Sequence, residues 1–488
     1  MSPRRAGEIA ALGLGIAVFG YLGWDGALWD ARLQLLLHLA AVAAVAALLG
    51  LAWAGGSLPR TRLDVPILVL LVAFGLGALT AWNHGLSARA LASILATAAM
   101  LPVALLVLRH RAGWAALVVT LPVLALSAGS LAVLGWRRVE WLLAGGPGLP
   151  PIRLGGEGTP FGSVAVPPFV ILASLPLALL IPQPRLRLGV LLGLAAVGVP
   201  LTLLSGSRSA WLAILATAVV LLAPRLSGRL PRIDWRGEWT PRRTALAFGG
   251  AVLAILAVVY VAPRLLEAGS LAYRGFLWRD TLAAWSADPL LGIGPGAMPF
   301  ARQVAAPPLT FPARQPHSHD VPLGILGDAG LVGLVAALVV VVVFVRLAGP
   351  WATRTIPGRA AFAVLAGFGV GMLFEDLTFL PNFNLMVILL AGMALTDAGA
   401  VAWERPRPDV LGVRGLRAAR VTAVMGALAL GLVLVLGDGA AIAYREGVEA
   451  YNQERWTDAA AHLATSGGLD PWQPTTPKAL ALAADRSG

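Results

Sequence analysis

Two of the chain's six histidines, His317 and His319, are separated by a single residue, with Arg314 before them and Asp320 after them. One of these imidazoles could take a proton from a hydroxyl near neutral pH, which is general-base chemistry. The pair could instead ligate a metal with a nearby carboxylate, although no third ligand stands at a convincing spacing. In either case the side chain of Asp320 is expected to cap the apolar helix that follows it.

Arginines occupy two further segments of an otherwise apolar chain. The run Ser205-Gly206-Ser207-Arg208-Ser209 predicts a tight turn that surrounds an arginine with hydroxyl groups. The plainer interpretation is an arginine that snorkels to the lipid–water interface. Residues 271–286 predict an amphipathic helix on which Arg274 and Trp278 share a face. An interfacial anchor helix with ordinary surface charges is the alternative there.

Carboxylates also occur within the apolar stretches, where charged residues are unfavourable. Glu375 and Asp376 are adjacent near the end of one apolar stretch, and Asp328 lies inside another. Such groups are expensive in a membrane unless they face arginines, water or a substrate. We therefore expect the first two either to orient Arg208 or Arg274 or to contact a substrate directly.

The elements that hold these residues are predicted to be membrane helices. The chain is 58% hydrophobic and 13% charged, whereas about a quarter of a soluble protein is charged. Its apolar segments reach the roughly 20 residues that a bilayer-spanning helix needs. The chain contains no cysteine, which excludes disulfides, thiolate catalysis and cysteine-bound metals. We predict an all-α, polytopic membrane protein with a retained first span.

We place about 13 spans near residues 8–24, 33–53, 65–82, 89–108, 113–135, 163–181, 188–204, 208–223, 244–262, 321–345, 360–380, 383–403 and 421–443. With the N-terminus inside, most of the 37 basic residues fall in inner loops, as the positive-inside rule requires. This distribution, rather than binding to nucleic acid, explains the net charge of +12. The histidine pair then lies in a large outer loop, 263–320, where nucleotide-activated substrates are unavailable.

Three blocks of sequence resemble the O-antigen ligase and polymerase superfamily, the WaaL and Wzy type membrane glycosyltransferases. Residues 205–210 are similar to the family's serine–arginine turn. Arg274–Trp278 and Asp288–Gly294 resemble its outer-loop arginine, tryptophan and "PLLGxG" block, and His319–Asp320 with Gly327–Gly333 resembles its "H-N … L-x-E-x-G-L-x-G" helix. The blocks cover about 130 residues, and the many-span architecture extends the likeness to most of the chain.

Two positions depart from the family pattern. Asp320 stands where the family usually has asparagine, and Asp328 stands where it often has glutamate. Both residues remain polar, so the departures bear on the subfamily more than on the chemistry. Arg153, in the first outer loop, is similar to a further arginine of the family.

The resemblance implies inverting transfer of a glycan from an undecaprenyl-diphosphate carrier to an acceptor hydroxyl, without cofactor or metal. Its acceptor would be a glycan, a lipid A core or another hydroxyl at the outer face of the cytoplasmic (inner) membrane. His319 would be the general base, and Arg208 and Arg274 would hold the leaving diphosphate. The other candidate substrate-binding residues are His317, Arg279, Arg314, Arg153, Ser207, Trp278, Glu375 and Asp376.

The end of the chain predicts a separate helical unit. Gly447, Ala459 and Pro471 recur at intervals of 12 residues, as in a tetratricopeptide repeat. We therefore divide the chain into a transmembrane transferase domain, 1–443, and an outer tail, 444–488, that docks an acceptor or partner. A solvated helix pair packed on the outer loops is the alternative.

Other functions remain open from the sequence. A polymerase of the same superfamily differs from a ligase only in its acceptor. A cell-wall polymerase of the shape-and-division type would rely on an outer aspartate such as Asp280 or Asp288. A transporter would place Glu375, Asp376 and Asp397 along a pathway, but it would be expected to show internal repeats, and we find none.

Overall fold

The structure is a computed structural model of the 488-residue chain. It describes residues 2–20, 31–145, 166–226, 268–305, 318–378, 380–405, 408–472 and 476–487. Within these ranges the chain is helical except for one small antiparallel sheet and the connecting turns. The all-α class predicted from the succession of apolar segments is confirmed.

The described elements follow one another along the chain in the order below. In order they are α1 (Pro3–Gly20), α2 (Ala31–Trp53), β1 (Leu58–Thr61), α3 (Asp64–Leu79), α4 (His84–Ala98), α5 (Met100–Leu143), α6 (Val166–Ala178), α7 (Pro184–Ser205), α8 (Arg208–Leu226), α9 (Ala268–Ala287), α10 (Met298–Ala305), α11 (Val321–Ala348), α12 (Ile356–Gly371), α13 (Pro381–Asp397), β2 (Val401–Glu404), α14 (Pro408–Asn452), α15 (Trp456–Leu469) and α16 (Thr476–Ser487).

Several of these helices have the length and apolar composition of bilayer-spanning helices. Five helical segments of the described chain are long and apolar enough to cross one: Ala31–Trp53, His84–Leu143, Pro184–Leu203, Val321–Ala348 and Val421–Asn452. Helix α11 leaves Val335, Leu338 and Val341 more than half exposed, at 57%, 55% and 56%. A continuous exposed aliphatic face of this kind suits lipid and not water.

A helix lies at every expected span except 244–262, which falls outside the described residues. The turn expected between 108 and 113 coincides with a break inside α5, where Arg111 has the non-helical φ −143° and ψ 32° and two helices meet. Some ends differ from the expected bounds: α12 ends at Gly371 rather than near 380, and β2 begins at Val401, inside the expected span 383–403. The total of 13 spans and their orientation remain predictions.

Contacts between loops divide the described helix ends into two groups. At one end, β1 pairs with β2 in register Leu58 to Glu404, and the guanidinium of Arg109 lies 4.2 Å from the ring centroid of Trp403. We call this the sheet end. At the other, which we call the His319 end, Val321 N–H donates to the carbonyl of Met372 at 2.9 Å. Every loop in the first group is predicted to be inner and every loop in the second to be outer.

A tightly packed core fixes the helices that lead to the His319 end. The ring of Phe368 on α12 lies 5.2 Å from that of Phe383 on α13 and 5.6 Å from that of Phe169 on α6. Helices α8 and α12 approach so closely that a Cβ on Gly371 would lie 2.8 Å from the ring of Phe169 and 3.1 Å from the carbonyl oxygen of Ser209. A larger residue would have to displace its neighbours where the first turn of α8 meets the end of α12.

Helix α11 is broken in its second quarter. Gly330 has φ 62° and ψ −160°, a conformation that side chains other than glycine rarely adopt. The break frees backbone groups, and a neighbouring loop satisfies them. Leu331 N–H donates to the carbonyl of Pro289 at 2.9 Å, and Val332 N–H donates to that of Leu290 at 3.2 Å.

The same loop also satisfies carbonyl groups on the other side of the break. Ile293 N–H donates to the carbonyl of Gly327 at 2.8 Å, and Gly294 N–H donates to that of Asp328 at 3.2 Å. Gly292, with φ +72°, lies against Gly327 so closely that any side chain would overlap its carbonyl. The two glycine-rich blocks of the sequence thus form one backbone joint.

The end of the chain folds back on the His319 end. Helix α15 packs against the end of α14, and α16 packs against α15, around a small core of Ala450, Ala459, Leu463 and Ala483. The turn after α15 contacts the turn before α4, where the Asn83 side chain donates to the carbonyl of Trp472 at 2.9 Å. These helices occupy the predicted repeat, whereas its status as a separate domain stays a prediction.

Candidate functional site

His319 is fixed by its backbone and by a carboxylate. It lies just before α11 with φ 55°, a left-handed conformation that is uncommon for a residue with a side chain. Its Nδ1 is 2.9 Å from Oε1 of Glu375, and both side chains are mostly buried, at 19% and 14% exposed. The ring of Tyr273 meets the imidazole edge-on at 6.3 Å. A carboxylate on Nδ1 sets the ring orientation and makes Nε2 the nitrogen for proton exchange.

The start of α11 is built by the residues beside His319. Asp320 accepts a hydrogen bond from Leu323 N–H at 2.8 Å, which confirms the predicted helix cap. Buried Ser318 donates from its hydroxyl to the carbonyl of Asp320 at 2.6 Å. Burial raises the pKa of the Asp320 carboxyl; the nearby charge of Asp376 adds to this rise, while the Leu323 bond opposes it.

The segment between α12 and α13 holds the second carboxylate in place. Buried Asp376 accepts from the backbone N–H and the hydroxyl of Thr378, at 2.9 and 2.6 Å. Its Oδ2 would lie 3.4 Å from a Cβ on Gly324, one turn into α11. Glu375 and Asp376 therefore divide their roles, one contacting His319 and the other ordering the segment that carries both.

The serine-rich turn between α7 and α8 presents a buried arginine at a helix start. Gly206 ends α7 with φ 58°, and the Ser207 hydroxyl accepts from Ala210 N–H at 3.4 Å and lies 3.1 Å from that of Ser209. Arg208 is the first residue of α8 and is only 9% exposed. A helix N-terminus carries partial positive charge, so helix and guanidinium together favour an anion.

Helix α9 confirms a helix over the predicted residues 271–286 but not its amphipathic character, because Phe276 and Leu282 are each 42% exposed while Arg274 is buried. Arg274 is 9% exposed, whereas the Arg279 side chain is 64% exposed and lies 3.7 Å from the carboxylate of Asp280. One turn after Arg274, the buried indole N–H of Trp278 has no hydrogen-bond partner among the described residues. Since α9 packs against α11, Arg274 and Trp278 belong to the helix layer that holds His319.

The candidate residues gather at the His319 end, with three exceptions that cannot be placed. Gly371 approaches the turn of Arg208, and the next residue, Met372, bonds to Val321 beside His319. The end of α12 therefore connects the arginine turn to the histidine. Arg153, Arg314 and His317 lie outside the described residues. In the part that is described, no three histidine or acidic side chains gather as a metal site.

Two features of the polar framework were not predicted. The pairing of Glu375 with His319 is not visible in the sequence, because 56 residues separate them in the chain. The second feature is a buried cluster of α2, α4 and α14. In that cluster Asp438 accepts from His38 at 2.8 Å and from Arg89 at 2.7 Å, and His38 Nε2 lies 3.0 Å from the Ser93 hydroxyl. Charged residues within apolar helices were the available signal.

The fold and the site define a multi-pass, all-helical membrane protein with a cluster of arginine, histidine and carboxylate at one end. A family model described as O-antigen ligase matches residues 190–338, which include Arg208, Arg274 and His319. This match confirms, over that segment, the resemblance to the O-antigen ligase and polymerase superfamily. No curated protein and no solved structure matches the chain.

Proposed function

We propose that the protein transfers a glycan from an undecaprenyl-diphosphate carrier to an acceptor hydroxyl at the outer face of the cytoplasmic membrane. The observation that carries the proposal is the His319–Glu375 pair at the same helical end as two buried arginines. Both arginines and His319 lie inside the segment that matches the O-antigen ligase family. Guanidinium groups suit a diphosphate because they stay charged and match its oxygen geometry.

The chemistry follows from these groups without a nucleotide. His319 takes the proton of the acceptor hydroxyl as the acceptor oxygen attacks the anomeric carbon. The bond between that carbon and the diphosphate oxygen breaks, and the electron pair leaves with the diphosphate. Arg208, Arg274 and the start of α8 stabilise the developing charge. Attack opposite the leaving group inverts the anomeric centre, and the proton on His319 passes to solvent.

Glu375 has a positioning role in this scheme. Its bond to Nδ1 of His319 at 2.9 Å keeps the ring turned so that Nε2 can meet the acceptor. Ser207 and Trp278 supply hydrogen bonds to the donor, and Asp376 orders the segment that carries Glu375. Arg279 lies near the helix surface, where it meets the lipid-facing part of the donor. Arg153, Arg314 and His317 remain proposed substrate contacts of the outer loops.

Transfer in proteoliposomes tests the proposal, with polyprenyl-diphosphate-linked glycan as donor and lipid A core as acceptor. His319→Ala should lose about 10²–10⁴-fold in rate, and Arg208→Ala or Arg274→Ala about 10²–10³-fold. Glu375→Ala should lose activity, while Glu375→Gln, which can still accept the Nδ1 hydrogen bond, should retain more. His110→Ala and Arg185→Ala, at the sheet end, are matched controls. Normal transfer by well-folded His319→Ala protein would overturn the proposal.

The products distinguish the two members of the superfamily. A ligase consumes the acceptor and leaves a capped lipid A core, whereas a polymerase lengthens one lipid-linked chain at the expense of another. The tail docked on the His319 end, through Asn83 and Trp472, favours a dedicated acceptor and therefore the ligase. Chain lengthening without any acceptor would assign the polymerase.

A further inference from the structure

Asn382 is a buried amide that finds no partner among the described residues. It lies in the first turn of α13 and is 1% exposed, yet neither its Nδ2 nor its Oδ1 makes a hydrogen bond within the part of the chain that the structure describes. Asn83 uses both of its side-chain atoms, and Asn384 donates to the carbonyl of Thr378 at 2.6 Å. Burying an unpaired amide is costly, so such a group in a folded protein requires an explanation.

The position of Asn382 in the fold suggests why this amide is buried without a partner in the described part of the chain. Its neighbour Phe383 packs against Phe169, with ring centroids 6.3 Å apart. Phe169 in turn lies close to Gly371. The carbonyl oxygen of Ser209, the residue after Arg208, also lies close to Gly371. On its other side, Asn382 follows the segment that carries Glu375. Asn382 therefore lies on a segment that is adjacent both to the packing around the arginine turn and to the segment of the histidine–carboxylate pair.

We propose that Asn382 hydrogen-bonds the sugar that is being transferred. This inference rests on the proposed function and adds a specificity-determining residue to it. A carboxamide offers two donor hydrogens and one acceptor oxygen, which match a sugar hydroxyl or an N-acyl group. A diphosphate is the poorer fit because it has only acceptor oxygens, and buried arginines already suit it. A lipid chain has no group that can form a hydrogen bond with an amide.

The key variant is Asn382→Leu, which keeps the side-chain volume and removes the polar atoms. Without substrate it should unfold at a higher temperature, because an uncompensated polar group has been removed. With a glycosylated donor its KM should rise about tenfold or more, since tenfold in affinity corresponds to about 1.4 kcal/mol. Asn382→Ala, which removes the amide without adding apolar bulk, should raise KM as well. Greater stability with unchanged KM would show a structural or water-bound amide and overturn the inference.

Ser130→Ala is the matched control. Ser130 on α5 is fully buried and its hydroxyl is also without a partner. Its replacement should leave the KM for the donor unchanged, so a rise of KM in both variants would count against a specific role of Asn382.

Binding separates the sugar from the rest of the donor. In a His319→Ala background, calorimetry should compare polyprenyl-diphosphate-linked N-acetylhexosamine with bare polyprenyl diphosphate. Asn382→Leu should weaken only the glycosylated ligand, and an equal effect on both ligands would overturn the inference. Full transfer activity of His319→Ala would instead sink the proposed function itself. If His319→Ala is inactive while Asn382→Leu leaves binding of the glycosylated donor unchanged, only the proposed role of Asn382 is contradicted.

Discussion

At the level of single residues, His319 combines an unfavourable backbone with a fixed side chain. A left-handed conformation for a residue with a side chain costs about 1–3 kcal/mol, and here φ is 55°. The cap of α11 at Asp320 and the bond to Glu375 hold the residue in that conformation. Glu454 in the tail shares this conformation, with φ 60°, but at His319 it orients the residue that we propose as the general base, where a wrong ring orientation would abolish proton transfer.

Asp320 gives a pH-dependent prediction. Because burial raises the pKa of its carboxyl, the folded protein loses stability as pH rises from the unfolded pKa through the folded one. At a pH below both pKa values the carboxyl is protonated in the folded and the unfolded protein, so this loss of stability disappears. Asparagine caps helices as well as aspartate does and does not ionise. Asp320→Asn should therefore raise the unfolding temperature near neutral pH, with a gain that shrinks to nothing under acidic conditions.

Thermal unfolding in detergent across the acidic to neutral range measures this difference. Asp458→Asn, at an exposed carboxylate of α15, controls for the general loss of a negative charge. A stability difference that stays constant with pH would contradict the role assigned to burial.

Part of the site could be predicted residue by residue. The Asp320 cap follows from an aspartate placed before an apolar run, and Arg208 follows from its serine-rich turn. The contact between Glu375 and His319 could not be predicted, because it depends on how α12 ends beside α11. The orphan amide of Asn382 is equally invisible in sequence, since polarity alone does not show whether a partner is present.

At the level of elements, the joint between α11 and the loop Pro289–Gly294 explains the glycine-rich blocks as structural. Gly330→Ala should destabilise the protein by more than about 2 kcal/mol, because the new Cβ would overlap the carbonyl of Leu290 in a strained conformation. Gly75→Ala is the control, since a Cβ there meets nothing within 4 Å. Equal unfolding temperatures for the two variants would contradict this joint.

The buried cluster around Asp438 connects α14 to α2 and α4. Its carboxylate is 1% exposed and contacts both His38 and Arg89. Asp438→Asn leaves Arg89 without its counter-charge, so it should cost about 3–5 kcal/mol in unfolding free energy. The exposed pair of Arg455 and Asp458, 2.8 Å apart, should lose less than about 1 kcal/mol in Asp458→Asn.

Chemical unfolding of the two variants in detergent compares these values. A similar small loss in both would show that the Asp438 cluster contributes no more than a surface ion pair. A His38→Ala, Asp438→Ala double-mutant cycle would then assign the share of the pair itself.

Elements were predictable where a long apolar run decides the outcome, as in α2 and α11. The short strands were not, because β1 and β2 have four residues each and lie more than 300 residues apart in the chain. The break of α5 at Arg111 was predictable, because the charged residues at 109–111 suggested a loop between two apolar runs.

At the level of the whole molecule, the two groups of loop contacts agree with the alternation of predicted inner and outer loops. Orientation can be tested directly because the chain has no cysteine. Asp485→Cys places a thiol on exposed α16, and Trp351→Cys places one at a residue that is 71% exposed, between α11 and α12. A membrane-impermeant maleimide should label the first in intact spheroplasts and the second only after permeabilisation. The reverse pattern would invert the topology.

Synthesis proceeds from the N-terminus, so the loop Pro289–Gly294 leaves the ribosome before the helix that it completes. A broken helix entering the bilayer alone would present unsatisfied backbone groups to hydrocarbon, each costing several kcal/mol. The four backbone hydrogen bonds from this loop to α11 are available only if the loop is already in place. Chain order therefore provides α11 with its partner at the moment of insertion, and exchanging the order of these segments would remove that protection during biogenesis.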